Sequence, residues 1–315
     1  MMYLIRRSRV GAWAVLLAIG CLVALLALPM SAFAQEEVLY GCNGGGSDDV
    51  PNPSNLYLIN PATGAASLVG PMGIASCSGL AFDASGVLYA VGRDPANPND
   101  WFSLFTVNLN TGAATLIGPS HHSFGGDDNS RISDLSFRSD NRLFAYLESD
   151  DGLGTLKKAT GAVNELGFTN TPSCCGNGIA FDAADTLFHA NEDQLNTLDQ
   201  TTGQFTLVGL HTWPDVRCPG GEGDEPRINA LDFNSGGTLF GSLNCGWTGG
   251  GPNYLVRVNT TTGKVIDIGP TVDGLDGIAF WEVEEEFVPE WGSIALLSSG
   301  LAGLAGYASL RWRKR

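Results

Sequence analysis

The chain has 315 residues, with 17 lysines and arginines against 33 aspartates and glutamates, a formal net charge of −16 at pH 7. A surface this acidic repels a phosphate backbone, which excludes nucleic acid as a partner and suits solubility outside a cell. It permits divalent cation binding without requiring it.

Arg6, Arg7 and Arg9 open the chain, followed by an apolar stretch from Ala12 to Leu28. Ala32-Phe33-Ala34 supplies a small-x-small cleavage site before Gln35, so residues 1–34 read as a secretory signal peptide that leaves the mature chain.

Residues 35–286 hold an internal repeat. One element is Leu-Tyr or Leu-Phe plus a following residue: Leu39-Tyr40-Gly41, Leu88-Tyr89-Ala90, Leu143-Phe144-Ala145, Leu187-Phe188-His189 and Leu239-Phe240-Gly241. A second is a Thr-Gly turn before an apolar run ending in glycine, from Thr63-Gly64 to Gly70, Thr111-Gly112 to Gly118, Thr160-Gly161 to Gly167, Thr202-Gly203 to Gly209 and Thr262-Gly263 to Gly269. A third centres on Phe82, Phe137, Phe181, Phe233 and Phe280. Each occurs five times, at spacings of 42 to 60 residues. Such periods, with about four short strands per unit, predict an all-β, five-bladed β-propeller; a sixth blade would require a degenerate repeat within 210–227. Alternation in Leu104-Phe105-Thr106-Val107-Asn108 and Tyr254-Leu255-Val256-Arg257-Val258-Asn259 fits short strands. The repeated Asp83-Ala84-Ser85-Gly86 and Asn60-Pro61-Ala62-Thr63-Gly64 supply turn geometry at hairpin corners.

The first copy lacks its Phe element and the last Phe element has nothing after it. They complete each other, so residues 277–283 are expected as the inner strand of a seam blade with strands at 37–42, 55–60 and 65–70. Such sharing pairs edges that an open array would expose. The repeats resemble exported NHL- and YVTN-type propellers over roughly residues 37–283, which implies the architecture and leaves the activity open.

Residues 287–315 form a tripartite tail: the signature Val288-Pro289-Glu290-Trp291-Gly292, an apolar run, and the basic cluster Arg311, Arg313, Lys314 and Arg315. The run is near the lower limit for one membrane-spanning helix, with the basic end on the cytoplasmic side. The tail resembles PEP-CTERM sorting signals, in a variant carrying Glu-Trp-Gly. That resemblance implies an exosortase-type processing enzyme as partner, export across the inner membrane, membrane anchoring through the helix and then a cell-surface or extracellular location. It further implies company with exopolysaccharide and biofilm production. An anchor that is never cleaved is the alternative.

The long insertions, 43–54, 93–101, 119–133, 168–177, 210–227 and 245–253, are assigned to one face of the propeller, where functional residues of a rigid scaffold tend to gather. The six cysteines after the signal peptide fall there: Cys42, Cys77, Cys174, Cys175, Cys218 and Cys245. An even number in an exported chain argues for disulfides. Loop adjacency pairs Cys42 with Cys77 and Cys218 with Cys245, leaving Cys174 and Cys175 as a vicinal bridge or free thiols. A zinc site is the rival reading, without any paired CxxC spacing.

The same face is expected to hold ligand-binding candidates Trp101, Trp213, Trp247, His211 and Asp215. The tryptophans either stack on sugar rings or plug gaps between blades. His121, His122, Asp127 and Asp128 are candidate calcium ligands, although the spacing is not that of an EF-hand; a solvated acidic loop is the alternative. No cofactor is called for by any motif. No Gly-x-Ser-x-Gly elbow, HExxH or phosphate-cradling loop with lysine occurs, and His189 falls in an expected strand. The leading expectation is a non-catalytic surface propeller binding polysaccharide or another envelope component. The alternatives are an extracellular hydrolase or lyase using face carboxylates or a metal, and a protein–protein interaction module.

Overall fold

Alternating burial along short strands organises the chain into repeated antiparallel sets, seen in a computed structural model. It describes residues 36–44, 46–47, 50–51, 53–97, 102–123, 131–148, 151–172, 175–213, 218, 226–245 and 253–283. The leader, the sorting tail, Trp101, Asp127, Asp128, Cys174, Asp215 and Trp247 lie outside the described residues.

The first strands are β1 (Glu36–Asn43), a small hairpin of β2 (Gly46–Ser47) and β3 (Val50–Pro51), β4 (Pro53–Ile59) and the 17-residue β5 (Ala66–Phe82). There follow β6 (Leu88–Arg93), β7 (Ser103–Val107) and β8 (Ala114–Pro119), then β9 (Ile132–Phe137), β10 (Leu143–Leu147), β11 (Gly152–Leu156) and β12 (Val163–Phe168). Next come β13 (Gly176–Phe181), β14 (Leu187–Asn191), β15 (Gln194–Leu198) and β16 (Phe205–Leu210). The last are β17 (Pro226–Phe233), β18 (Leu239–Cys245), β19 (Asn253–Val258), β20 (Val265–Pro270) and β21 (Leu275–Val283).

β9–β12, β13–β16 and β17–β20 are each four-stranded sheets. The remaining sheet has seven strands in the order β21-β1-β4-β5-β6-β7-β8, because β5 serves two sets. Its first part pairs with β4, from Ala66 opposite Ile59, and its last part pairs with β6, ending with Phe82 opposite Leu88. The seam forms as the order of repeats requires: β21 runs antiparallel to β1, with Gly277 opposite Cys42 and Phe280 opposite Leu39. The inner strands β5, β9, β13, β17 and β21 each adjoin the next, and β21 adjoins β5 again. This is a β-propeller, and its described residues include no helix long and apolar enough to cross a membrane.

The repeated motifs explain how neighbouring sets pack. The aromatic of each second strand meets the phenylalanine of the next inner strand: Tyr40–Phe82, Tyr89–Phe137, Phe144–Phe181, Phe188–Phe233 and Phe240–Phe280, with ring centroids 5.0–5.6 Å apart. Edge-on and tilted rings at this distance add to the energy of burial alone. At the rim, each Thr-Gly turn abuts the glycine ending the previous outer strand. A Cβ on Gly70, Gly118, Gly167, Gly209 or Gly269 would lie 2.1–2.3 Å from the carbonyl oxygen of Thr111, Thr160, Thr202, Thr262 or Thr63.

Candidate functional site

The axis is crowded from within. A Cβ on Gly79 would lie 2.8 Å from Asp134 Cα, one on Gly178 2.7 Å from the Ala230 carbonyl carbon, and one on Gly277 3.0 Å from the Gly79 carbonyl carbon. Asp134 stands where other inner strands carry Gly79, Gly178, Ala230 and Gly277. It is fully buried, and its carboxylate accepts the amides of Leu135 (2.8 Å), Ile179 (2.9 Å) and Leu231 (3.1 Å), joining β9 to β13 and β17. Burial holds its carboxyl well above the ordinary range despite these three donors. Asp134 therefore pins three inner strands together and is out of reach of a substrate.

Toward the long-loop end, the inner strands share an irregularity. Pairing skips Ser133 between Ile132 and Asp134, Asn177 between Gly176 and Gly178, Asn229 between Ile228 and Ala230, and Asp276 between Leu275 and Gly277. In β5 the irregularity spans Ser76 to Ser78. β-Bulges re-aim side chains and recur beside binding sites. The residue four before the inner-strand phenylalanine is thus polar in every set: Ser78, Ser133, Asn177, Asn229 and Asp276.

These five divide by accessibility. Ser133 and Asn177 are buried, while Ser78, Asn229 and Asp276, on the neighbouring strands β5, β17 and β21, are half-buried. The Asn229 amide donates to Asp276 Oδ1, the Asn244 amide reaches the same oxygen at 3.4 Å, and Asn253 donates to Asn244 Oδ1. Ser78 Oγ donates to the Ile132 carbonyl at 2.5 Å. Among the described residues, Ser133 Oγ, Asn177 Nδ2 and Asn229 Oδ1 have no hydrogen-bond partner. Buried polar atoms are normally satisfied by protein, water or ligand.

The candidate histidines and Trp213 fall into separate environments. His211 and Trp213 do meet, ring centroids 5.0 Å apart, but Trp213 packs against the core that includes Leu195, Leu243, Cys245 and Tyr254. His211 Nδ1 donates to the Gly263 carbonyl at 2.8 Å, and burial lowers its pKa. His121 is exposed, whereas His122 is buried with Nε2 3.0 Å from the Arg131 carbonyl. Among the described residues no three His, Cys, Asp or Glu side chains are placed to hold a metal. Cys42–Cys77 and Cys218–Cys245 are disulfides. Cys175 is also disulfide-bonded, to a partner outside the described residues.

His189 lies on β14 as expected, where other second strands carry glycine or alanine. It is fully buried, stacks on Tyr146 at 4.6 Å, donates from Nε2 to Asn177 Oδ1 (3.2 Å) and accepts from Asn196 at Nδ1 (3.3 Å). Burial, with a contribution from His211, holds its pKa down at about 3, so it is neutral and part of the packing.

No known protein-family profile matches the chain, and no curated protein sequence matches it. Solved structures do. A chain of a nidogen/laminin complex is 11% identical, with 79% of this chain and 100% of that one covered, at a TM-score of 0.47. A catalytically inactive virginiamycin B lyase from Staphylococcus aureus, solved with quinupristin, is 14% identical over 69% of this chain and 67% of that one, at 0.37. A gluconolactonase from Xanthomonas campestris is 12% identical over 75% and 78%, at 0.42.

Proposed function

We propose that the protein is an exported, surface-retained five-bladed propeller that binds extracellular polysaccharide at the long-loop end of its axis. The five four-strand sets, with β5 shared between two of them, are the blades. The carrying observation is the floor formed by Ser78, Asn229 and Asp276: a hydroxyl, an amide and a carboxylate on neighbouring inner strands, each residue partly exposed, with the Asn229 amide held on the Asp276 carboxylate. Amide and carboxylate groups supply the donor and acceptor pairs that neighbouring sugar hydroxyls need, and a neutral polymer avoids the repulsion a polyanion would meet on this acidic chain.

The leader and the tail support the setting: delivery across the inner membrane, anchoring by the apolar helix, and processing at Val288-Pro289-Glu290-Trp291-Gly292 by an exosortase-type enzyme. The disulfides accord with an oxidising compartment. Co-sedimentation of the full-length chain with the producing cell's own polysaccharide tests the reading. Asn229→Ala and Asp276→Asn should each lower retention about tenfold, the loss of one or two hydrogen bonds to ligand. Unchanged retention in both variants would remove the site from this face.

A further inference from the structure

At the opposite, tight-turn end the axis opens into a cavity of about 110 Å³, lined by Ala81, Phe82, Ser136, Phe137, Asp232 and Phe280 among others. That is room for the liquid volume of about three or four waters. Asp232 occupies the position held by Ala81, Ser136, Ala180 and Ala279 on the other inner strands. Unlike Asp134 it is only partly buried, and each of its oxygens accepts one amide, Phe233 N–H at 2.9 Å and Phe280 N–H at 2.6 Å. A carboxylate offers about four acceptor sites, so half of its capacity remains toward the cavity. Ser136 Oγ accepts the Phe181 amide at 3.0 Å and keeps a further lone pair.

We infer that this cavity is a binding site for a primary alkylammonium group, with the nitrogen on Asp232 and Ser136 and the carbon stem against the phenylalanine edges. The lining contains no lysine, arginine or histidine to neutralise the carboxylate. The charged groups that act on it, Glu37 on β1 and Asp134 on β9, are acids themselves. Burial pushes the Asp232 carboxyl up to about 7, the behaviour of an ion lacking its counter-charge. A bare metal cation needs some six oxygen ligands, and the side chains lining the cavity offer three, two from Asp232 and one from Ser136, whereas the three N–H donors of an ammonium match them. The lysine side chain and the amino terminus of a partner share this chemistry.

The test follows the Asp232 carboxyl by carbon NMR in the full-length, detergent-solubilised chain as pH is varied. Methylammonium chloride should lower its midpoint by about one unit, a tenfold preference for the ionised form. Sodium, potassium and tetramethylammonium chlorides at equal ionic strength should leave it within about a tenth of a unit. Ala81→Val, which adds volume to the cavity lining and leaves Asp232 in the chain, should abolish the methylammonium shift. An equal shift with every salt would mean screening, and a shift with sodium or potassium alone would mean an alkali site; either overturns the assignment. So would a full methylammonium shift in Ala81→Val.

Discussion

Gly64 and Gly269 lie backbone against backbone across the seam: a Cβ on Gly64 would sit 2.6 Å from the Gly269 carbonyl oxygen, and one on Gly269 2.3 Å from Thr63 O. The same reciprocal contact joins Gly70 with Gly112, Gly118 with Gly161, Gly167 with Gly203 and Gly209 with Gly263. Each turn glycine also has φ between 72° and 80°, a region L side chains rarely adopt. Gly269→Ala is expected to cost about 1–3 kcal/mol by overpacking. Gly70→Ala should cost a similar amount, because the seam contact repeats the internal ones. Denaturant midpoints check both; a neutral Gly269→Ala would mean the ends do not close the ring.

Asp232 should make the protein less stable as pH rises. Its folded pKa, about 7, lies above its ordinary 3.8, so folding favours the protonated acid. That contribution is complete below about 3.8 and is lost as pH climbs through 7. Asp232→Asn should therefore gain stability relative to the parent steadily between those values and hold a constant lead above them. Urea titrations at several pH values measure the difference.

His189 acts in the opposite direction. Its folded pKa, about 3, lies below the ordinary 6.5, so its contribution is complete above 6.5 and is lost as pH falls toward 3. His189→Ala restores the small residue of the other repeats but strips partners from Asn177 and Asn196. The expected cost at neutral pH is about 1–3 kcal/mol, narrowing in acid. A neutral substitution would show that the network rearranges freely.

The Cys42–Cys77 bond ties β1 to β5 across 35 residues, next to the seam. Chain-entropy arguments give it about 3–4 kcal/mol. Cys42→Ser with Cys77→Ser should lower the denaturation midpoint and, in hydrogen exchange, expose amides of β1 and β21 before those of β13. Uniform loss of protection would place the disulfide's effect elsewhere.

Much of the scaffold was legible in the residues. The missing first Phe element and the orphan last one required β21 to pair with β1, and loop adjacency paired four of the cysteines. The aromatic and Thr-Gly motifs were visible as repeats, but only the folded chain shows that each motif touches the next set. The polar floor was harder to see, because a bulge is a property of register between strands. Its one signal, a polar residue four before each inner-strand phenylalanine, from Ser78 to Asp276, carries no meaning until the pairing is known. Trp213 has the opposite history: a ring promising as a sugar platform packs against the core beside Cys218 and Cys245.

The most direct test of the functional account incubates the full-length oxidised protein with the producing cell's own extracellular polysaccharide and scores retention and polymer chain length together. Retention with unchanged length, weakened by Asn229→Ala and Asp276→Asn, is the predicted result. Shortened polymer would contradict it and make the protein a hydrolase or lyase, with Asp276 the first carboxylate to replace.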